Sequence, residues 1–244
     1  MLRTLVCLSL FWITTFSFAT AFANEKDPSS LGELQFSDQF ERDESVPGKE
    51  EVGEGWTTNS PWRADGNQQV DLVDGAIHIT RYPTADHGVA VFHPVDFEDG
   101  AVELRFHLRK GDQLGIDFAD KQLKTVHAGH LFIVKVTPTS LILQDSKTGQ
   151  MNLKNRERIA AGDKSPELKK LLDSKRFKAP LNLTPDKWYT LLMQVQGDTL
   201  TVSIDGKQVG QFKSEGIAHP TKRHISLAVP KEAWVDDVKI WKAK

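Results

Sequence analysis

The clearest alternation of apolar and polar residues lies between positions 187 and 212. Apolar side chains occupy every second position over 189–195 and again over 200–204, and Gly/Asp pairs at 197–198 and 205–206 separate these runs. This pattern predicts three antiparallel strands joined by hairpins, each strand with one buried and one solvated face. Because such a meander needs a second sheet to cover its apolar face, the pattern predicts an all-β sandwich.

Short apolar runs with Gly, Pro and Asp between them recur along the rest of the chain. Further strands are predicted near residues 34–40, 70–72, 76–81, 88–92, 101–108, 114–118, 130–137 and 140–144, with a closing strand at 234–241. This spacing is typical of a β-sandwich. We therefore expect one sandwich domain over residues 34–244.

One segment lacks the alternation and is predicted to be an insertion over residues 150–180. Within it, Ser165 is a candidate N-cap, Pro166 suits the first helical position, and Leu168, Leu171 and Leu172 form an apolar stripe. These features predict one short helix at about residues 165–175. Its charged face is explained most simply by solvation, and the alternative is a rim over a ligand-binding face.

The first 23 residues have the pattern of a secretory signal peptide. Arg3 precedes an apolar run, and an Ala-Phe-Ala sequence ends at position 23. A transmembrane anchor is the alternative, but the run is short and ends in small residues. Residues 24–33 are expected to be a flexible leader. The sequence thus predicts an exported protein, periplasmic or extracellular, with no membrane contact after cleavage.

Composition narrows the possible chemistry. The only cysteine, Cys7, lies in the predicted signal, so the exported chain would have neither a disulfide nor a reactive thiol. The formal net charge is −2, and no block of basic residues is present. We therefore expect no nucleic-acid partner.

The meander and the closing strand carry a resemblance to a known superfamily. The pattern W-Y-x-L-x-x-x-V-x-G followed by D-G, with WVDDVKIW at the end, resembles the concanavalin A-like jelly rolls of secreted bacterial proteins. The DQFERDES segment, Gly55-Trp56, Trp62 and the strand at 73–79 are similar to the 3-keto-disaccharide hydrolase domain of planctomycete-type proteins. This resemblance implies a jelly roll that acts on glycosides oxidised at C3.

The strand over residues 101–108 places four ionisable side chains on one face. Because Val102, Leu104 and their even-numbered neighbours are apolar, the opposite parity projects away from the core. Its members are Glu103, Arg105, His107 and Arg109. We predict Glu103 and His107 as catalytic acid or base and both arginines as substrate-binding residues. Ordinary cross-strand ion pairs are the alternative explanation.

The next strand and loop supply a second group of ionisable residues. Asp117 lies on a strand, and His127 and His130 precede another strongly apolar strand. Carboxylate and imidazole together can transfer protons at a sugar, or they can hold a divalent cation, which is the candidate cofactor. We predict Asp117 and His130 as catalytic residues and His127 as a substrate contact. Structural capping of the loop is the alternative.

Three aromatic residues in the N-terminal half, Trp56, Trp62 and Tyr82, are candidates for stacking on sugar rings. The alternative is that both tryptophans pack against the core. An E-x-D-x-E strand, which would place the two carboxylates of a retaining glycosidase on one face, does not occur in the sequence. Two functions therefore remain open: an enzyme that hydrolyses or eliminates glycosides, or a non-catalytic module that binds saccharides or takes part in cell-surface interactions.

Overall fold

The computed structural model describes residues 31–46 and 48–244 and forms two antiparallel sheets. The predicted signal peptide and most of the predicted leader lie outside this range. Eight strands pair in the order β13-β12-β11-β6-β15-β4-β3, and β1 also pairs with β15. They are β1 (Glu33–Asp38), β3 (Val70–Val73), β4 (Ala76–Thr80), β6 (Gly100–His107), β11 (Trp188–Gln196), β12 (Thr199–Ile204), β13 (Lys207–Lys213) and β15 (Glu232–Lys242).

The second sheet has seven strands in the order β10-β9-β8-β7-β14-β5-β2. They are β2 (Thr57–Thr58), β5 (Val89–Phe97), β7 (Leu114–Ala119), β8 (His130–Thr137), β9 (Ser140–Asp145), β10 (Arg176–Pro180) and β14 (Lys222–Val229). The all-β sandwich predicted from the alternation is confirmed. No helix of the described residues is long and apolar enough to cross a membrane.

One continuous apolar core fills the space between the two sheets. Val102, Leu104 and Phe106 of β6 enter it from the eight-stranded sheet, and Ile116 and Phe118 of β7 enter it from the other. Side chains of opposite parity on these strands therefore lie on the two outer faces of the sandwich. For function, this means that the outward side chains of β6 and the outward side chains of β7 lie on opposite sides of the molecule.

The predicted insertion contains more structure than the sequence indicated. Helix α1 (Ser60–Arg63) lies elsewhere, in the loop after β2, whereas α2 (Leu153–Ala160) and α3 (Pro166–Ser174) both fall in the insertion. The α3 bounds agree with the predicted helix, and Ser165 caps it by accepting a hydrogen bond from the Leu168 N–H. Sequence reasoning missed α2. The last five residues of the predicted insertion form β10, which pairs with β9.

The carboxylate of Asp145, at the end of β9, ties the base of the insertion to a distant loop. It accepts hydrogen bonds from the Thr148 N–H at 2.9 Å, the Ser214 hydroxyl at 2.6 Å and the Gly216 N–H at 3.0 Å. The side chain is fully buried, so these bonds compensate for its desolvation. The helices of the insertion are therefore anchored beside the edge of the seven-stranded sheet.

Candidate functional site

The outer face of the seven-stranded sheet carries a straight row of side chains, one from each of six strands. Cross-strand pairing places them side by side in the order Phe92, Ser226, Asp117, Ile133, Gln144, Arg176. We call this set the central row. With neighbouring strands about 4.8 Å apart, it is roughly 24 Å long. A row of this length suits an extended ligand better than a compact one.

Asp117 and His130 form a hydrogen-bonded pair in the middle of this face. The Nδ1 atom of His130 lies 2.8 Å from Oδ2 of Asp117. Asp117 is almost completely buried, and its Oδ1 atom has no hydrogen-bond partner among the described residues. The imidazole of His130 keeps 29% of its side-chain surface exposed. His130 is therefore the member of the pair that a ligand can reach.

Both members of the pair have a raised pKa, each for a different physical reason. Burial raises the pKa of Asp117 and outweighs the opposing effect of the bond to His130. For His130, burial acts to lower the pKa, but the hydrogen bond and charge of Asp117 raise it overall. An imidazole oriented in this way by a carboxyl group can donate or accept a proton through its free Nε2 atom.

The row beside the central row begins with three small residues, on β5, β14 and β7. The neighbouring row is Ala90, Ala228, Gly115, Lys135 and Ile142. A Cβ atom at Gly115 would lie 3.2 Å from Ile133 and 3.3 Å from the Cβ atom of Ala228, so even alanine would crowd this position. We call this set the small-residue row.

Aromatic side chains lie at the β5 end of the central row. Trp62, in α1, stacks on Phe92 with ring centroids 6.4 Å apart and an angle of 16° between the rings. Trp62 is 61% exposed, so one face of the indole is open to solvent. The ammonium group of Lys121 lies 4.8 Å from the centroid of Phe92. A sugar ring could stack on this aromatic end.

A cavity of about 510 Å³ opens at the other end of the row, between the insertion helices and the sheet edge. Gln144 and Arg176 of the central row belong to its lining, and α3 contributes Leu168, Lys169 and Leu172. The guanidinium group of Arg176 donates to the Gln144 side-chain oxygen at 3.2 Å. The insertion thus forms one wall of this end of the face.

The structure separates the predicted catalytic residues into two groups. Glu103 and His107 lie on β6 and face outward from the eight-stranded sheet, whereas Asp117 and His130 face outward from the seven-stranded sheet. The four predicted catalytic residues therefore do not form one site, because the core separates the two faces. On the eight-stranded sheet, Oε1 of Glu103 lies 3.7 Å from Nζ of Lys239, and Nε2 of His107 lies 3.9 Å from Oδ1 of Asp186.

The two predicted substrate-binding arginines share the face of Glu103. Arg105 forms an ion pair with Asp236 at 3.0 Å, and Arg109 forms one with Glu232 at 2.8 Å. Each guanidinium group also lies over an indole, that of Trp188 for Arg105 and that of Trp234 for Arg109. These contacts match the alternative explanation by ordinary surface pairing.

The remaining predicted contacts differ in their positions. Trp56 is buried, and its indole N–H donates to Asp38 at 2.9 Å, so its ring faces are unavailable for stacking on a ligand. Tyr82 is half-buried, and its backbone N–H bonds to Gln69. His127 is exposed, and its ring centroid lies 6.4 Å from that of His130. The structure therefore brings His127 and Trp62 to the same side as Asp117 and His130.

Sequence reasoning missed four polar residues of this face: Lys135, Gln144, Arg176 and Ser226. Lys135 interrupts the apolar run 131–136, and Gln144 directly follows the apolar run 141–143, and these breaks were the signal that could have revealed them. Arg176 was hidden because its strand was assigned to the insertion. Within the described ranges, no group of three or more His, Cys, Asp or Glu side chains is arranged to hold a metal ion.

Comparisons with known proteins support the fold. No protein-family model matches the chain, and no curated protein matches it in sequence. Among solved structures, a Bacillus licheniformis β-glucanase is 10% identical with a TM-score of 0.56, covering 86% of this chain and 99% of the other. A Bacillus subtilis protein of unknown function with a galectin-like fold is 12% identical with a TM-score of 0.56, covering 86% and 96%.

A third structure is a GlcNAcα1-4Gal-releasing endo-β-galactosidase from Clostridium perfringens. It is 11% identical with a TM-score of 0.57, covers 87% of this chain, and is itself covered over only 63% of its length. The present chain thus spans less than two thirds of that protein. These likenesses confirm the jelly-roll β-sandwich. The resemblance to the 3-keto-disaccharide hydrolase domain stays a prediction.

Proposed function

We propose that this protein binds a saccharide along the central row and cleaves it by acid–base chemistry at His130. The observation that carries the proposal is the Asp117–His130 pair, a buried carboxyl group holding a partly exposed imidazole at the middle of a long sheet face. The β-glucanase and the endo-β-galactosidase with the same fold support a saccharide as the ligand class. The predicted signal peptide supports a site of action outside the cytoplasm.

In the proposed reaction His130 acts on a glycoside oxidised at C3. The C3 carbonyl acidifies the hydrogen on C2, and the Nε2 atom of neutral His130 accepts that proton. A C1=C2 double bond forms as the C1–O bond breaks, and its electron pair leaves with the departing oxygen. The imidazolium then returns the proton to that oxygen, and addition of water across the double bond completes the hydrolysis.

Asp117 is a positioning residue in this scheme. Its Oδ2 atom accepts the Nδ1–H bond of His130, which keeps Nε2 free for the substrate and stabilises the imidazolium that forms. The outward residues of β7 are Gly115, Asp117 and Ala119, so this strand offers one carboxyl group rather than two. A single acid–base residue suits elimination better than the two-carboxylate chemistry of a retaining glycosidase.

A second candidate function is saccharide binding without catalysis. The observation that favours it is the burial of Asp117, because only one ionisable group of the pair is then in contact with the ligand. The two functions share the same face and the same ligand class. They differ in whether His130 is needed for turnover or only for affinity.

The test is the release of a chromogenic leaving group from 3-keto-glycosides by the purified protein. His130→Gln should lower turnover by at least about 10²-fold, because the proton acceptor is lost, and should change saccharide affinity only a few-fold. His87→Gln is the matched control, since the exposed His87 ring bonds only to the Gly88 carbonyl oxygen.

Three results would count against the proposed reaction. Full turnover in His130→Gln would exclude His130 as the acid–base residue. An equal loss in Glu103→Gln or His107→Gln would move the site to the opposite sheet. Saccharide binding without turnover in the unmodified protein would favour the non-catalytic function.

A further inference from the structure

The outer face of the seven-stranded sheet carries cations that form no close ion pair with a carboxylate among the described residues. Arg176 bonds to the Gln144 side chain, Lys121 contacts the Phe92 ring, and Arg156 contacts the Met151 sulfur. Two charges act on the pKa of Lys135 in opposite directions: that of Arg176 lowers it, and that of Asp117 raises it. Within the part of the chain that the structure describes, none of these four side chains forms an ion pair with a carboxylate. Their excess positive charge is left for a ligand to neutralise.

Lys135 is the least expected of these cations because it is half-buried. Burial lowers the pKa of its ammonium group, so the folded protein holds this charge at a cost. The side chain projects from the small-residue row, between Gly115 and Ile142. A half-buried cation without an ion-pair partner is unfavourable for stability and is typical of a ligand-binding site.

The cavity at the β10 end is also lined by cations without ion-pair partners. Its lining includes Lys164, Lys169 and Arg176, which have no carboxylate partner among the described residues. Two lining charges already have partners: Asp163 lies 2.7 Å from Arg158, and Lys175 lies 3.0 Å from Glu215. The carboxylates of Asp145 and Asp173 are also part of the lining, so three cations without an ion pair among the described residues compare with two such carboxylates. Unpaired cations thus outnumber unpaired anions at this end.

We infer that the saccharide recognised by this face is anionic, carrying carboxylate or sulfate groups. This inference rests on the proposed function and names its substrate class. An anionic group placed over the central row would meet Lys135 and Arg176, and a guanidinium group can bind a carboxylate or sulfate through two hydrogen bonds. The next anionic group along the chain would face the cavity.

The two ends of the central row explain why a saccharide fits better than another polyanion. The Trp62–Phe92 stack offers an apolar surface for the face of a sugar ring, whereas the Arg176 end offers charge. Ala90, Ala228 and Gly115, which pair beside the central row, add at most a methyl group each to the surface between them. Stacking and charge recognition are thus separated along one ligand.

The test compares the binding of three oligosaccharides by calorimetry: an oligogalacturonate, a sulfated galactan fragment and a neutral laminarin fragment. We expect at least one anionic ligand to bind at least roughly tenfold more tightly than the neutral one, since bonds between charged groups are stronger than neutral ones. The preference should weaken as salt is raised from low to physiological concentration and above. The tighter of the two anionic ligands identifies the group that is recognised.

The variants remove charge from one face at a time. The Lys135→Gln/Arg176→Gln protein should lose roughly tenfold or more in affinity for the anionic ligand and retain affinity for the neutral one. The matched control is Lys213→Gln/Lys239→Gln, which removes the same charge from cations that pair with Asp198 and Glu103 on the other sheet. Thermal melting checks that each variant is folded, and Lys135→Gln alone replaces the double variant if that protein does not fold.

Each other outcome overturns a defined part of the inference. Equal or tighter binding of the neutral ligand overturns the anionic preference and leaves the proposed function intact. Equal binding of polyglutamate or of single-stranded DNA overturns saccharide recognition in favour of general charge attraction. An equal loss in the Lys213→Gln/Lys239→Gln control overturns the location. If none of the three oligosaccharides binds, both the inference and the proposed function fail.

Discussion

The two outer faces of the sandwich carry similar residue types but differ in how their charges are paired. On the eight-stranded sheet, Arg105, Arg109 and Lys239 each lie within ion-pairing distance of a carboxylate. On the seven-stranded sheet, Lys135 and Arg176 do not, and the carboxyl group of Asp117 is buried against His130. A charged strand alone therefore does not locate a site. The pairing of its charges, visible only in three dimensions, separates a solvated surface from a ligand-binding one.

The eight-stranded face is also closed by aromatic packing. Register places Trp188, His107, Trp234 and His78 side by side on four neighbouring strands. His78 stacks on Trp234 with ring centroids 4.2 Å apart, and His107 meets the same indole edge-on. Glu232 binds both His78 and Arg109 at 2.8 Å. These side chains bind mainly one another, which explains the density of ionisable residues on β6 without a ligand.

The largest expected effect that would sharpen this contrast comes from Asp117→Asn. Losing the carboxylate removes the stabilisation of the imidazolium, so the pKa of His130 should fall and turnover should drop roughly tenfold or more. An NMR titration of His130 measures the shift. Glu103→Gln, on the other face, should leave that titration unchanged, and an equal shift there would show that the two faces are coupled.

The next effect concerns the stability of the paired face. Glu232→Ala leaves Arg109 and His78 without their shared carboxylate and should cost roughly 1 kcal/mol, because these groups are only partly buried. Chemical denaturation measures the change. Unaltered stability would mean that the network on this face contributes little and that aromatic packing alone maintains it.

The opposite sign is expected for the unpaired face. Lys135→Met removes a half-buried cation that has no carboxylate partner and should raise the free energy of unfolding by about 0.5–1 kcal/mol. The same variant should bind the anionic saccharide more weakly. A gain in stability with a loss of affinity is typical of a residue kept for binding, whereas a loss of both would give Lys135 a structural role.

A further effect, which depends on conditions, is the change of stability with pH. Burial, together with the charges of Lys121 and His130 and against that of Asp120, lowers the pKa of His224 from 6.5 to about 4. Between these values the unfolded chain binds a proton that the folded chain does not, so stability should fall as pH decreases through this window. His224→Gln should flatten the decline in thermal melts, whereas His87→Gln should not.

The sequence predicted the architecture well because alternation is a local signal. The meander, the closing strand and helix α3 follow from residues that are neighbours in the chain, and their bounds agree with the structure to within a few residues. The site depends instead on which strands lie side by side. No local pattern shows that Ser226 pairs with Asp117 or that Arg176 follows Gln144, so Glu103 and His107 were grouped with residues from which the core separates them.

The position of β14 in the middle of the seven-stranded sheet has a consequence for how the protein is made. This strand, near the C-terminal end of the chain, lies between β5 and β7 and supplies Ser226 to the central row. During synthesis, β5 and β7 therefore have no common neighbour until β14 has emerged. A chain that stops before β14 would leave a gap between Phe92 and Asp117, with two unpaired strand edges, so only a polypeptide that extends through β14 can have an intact binding face.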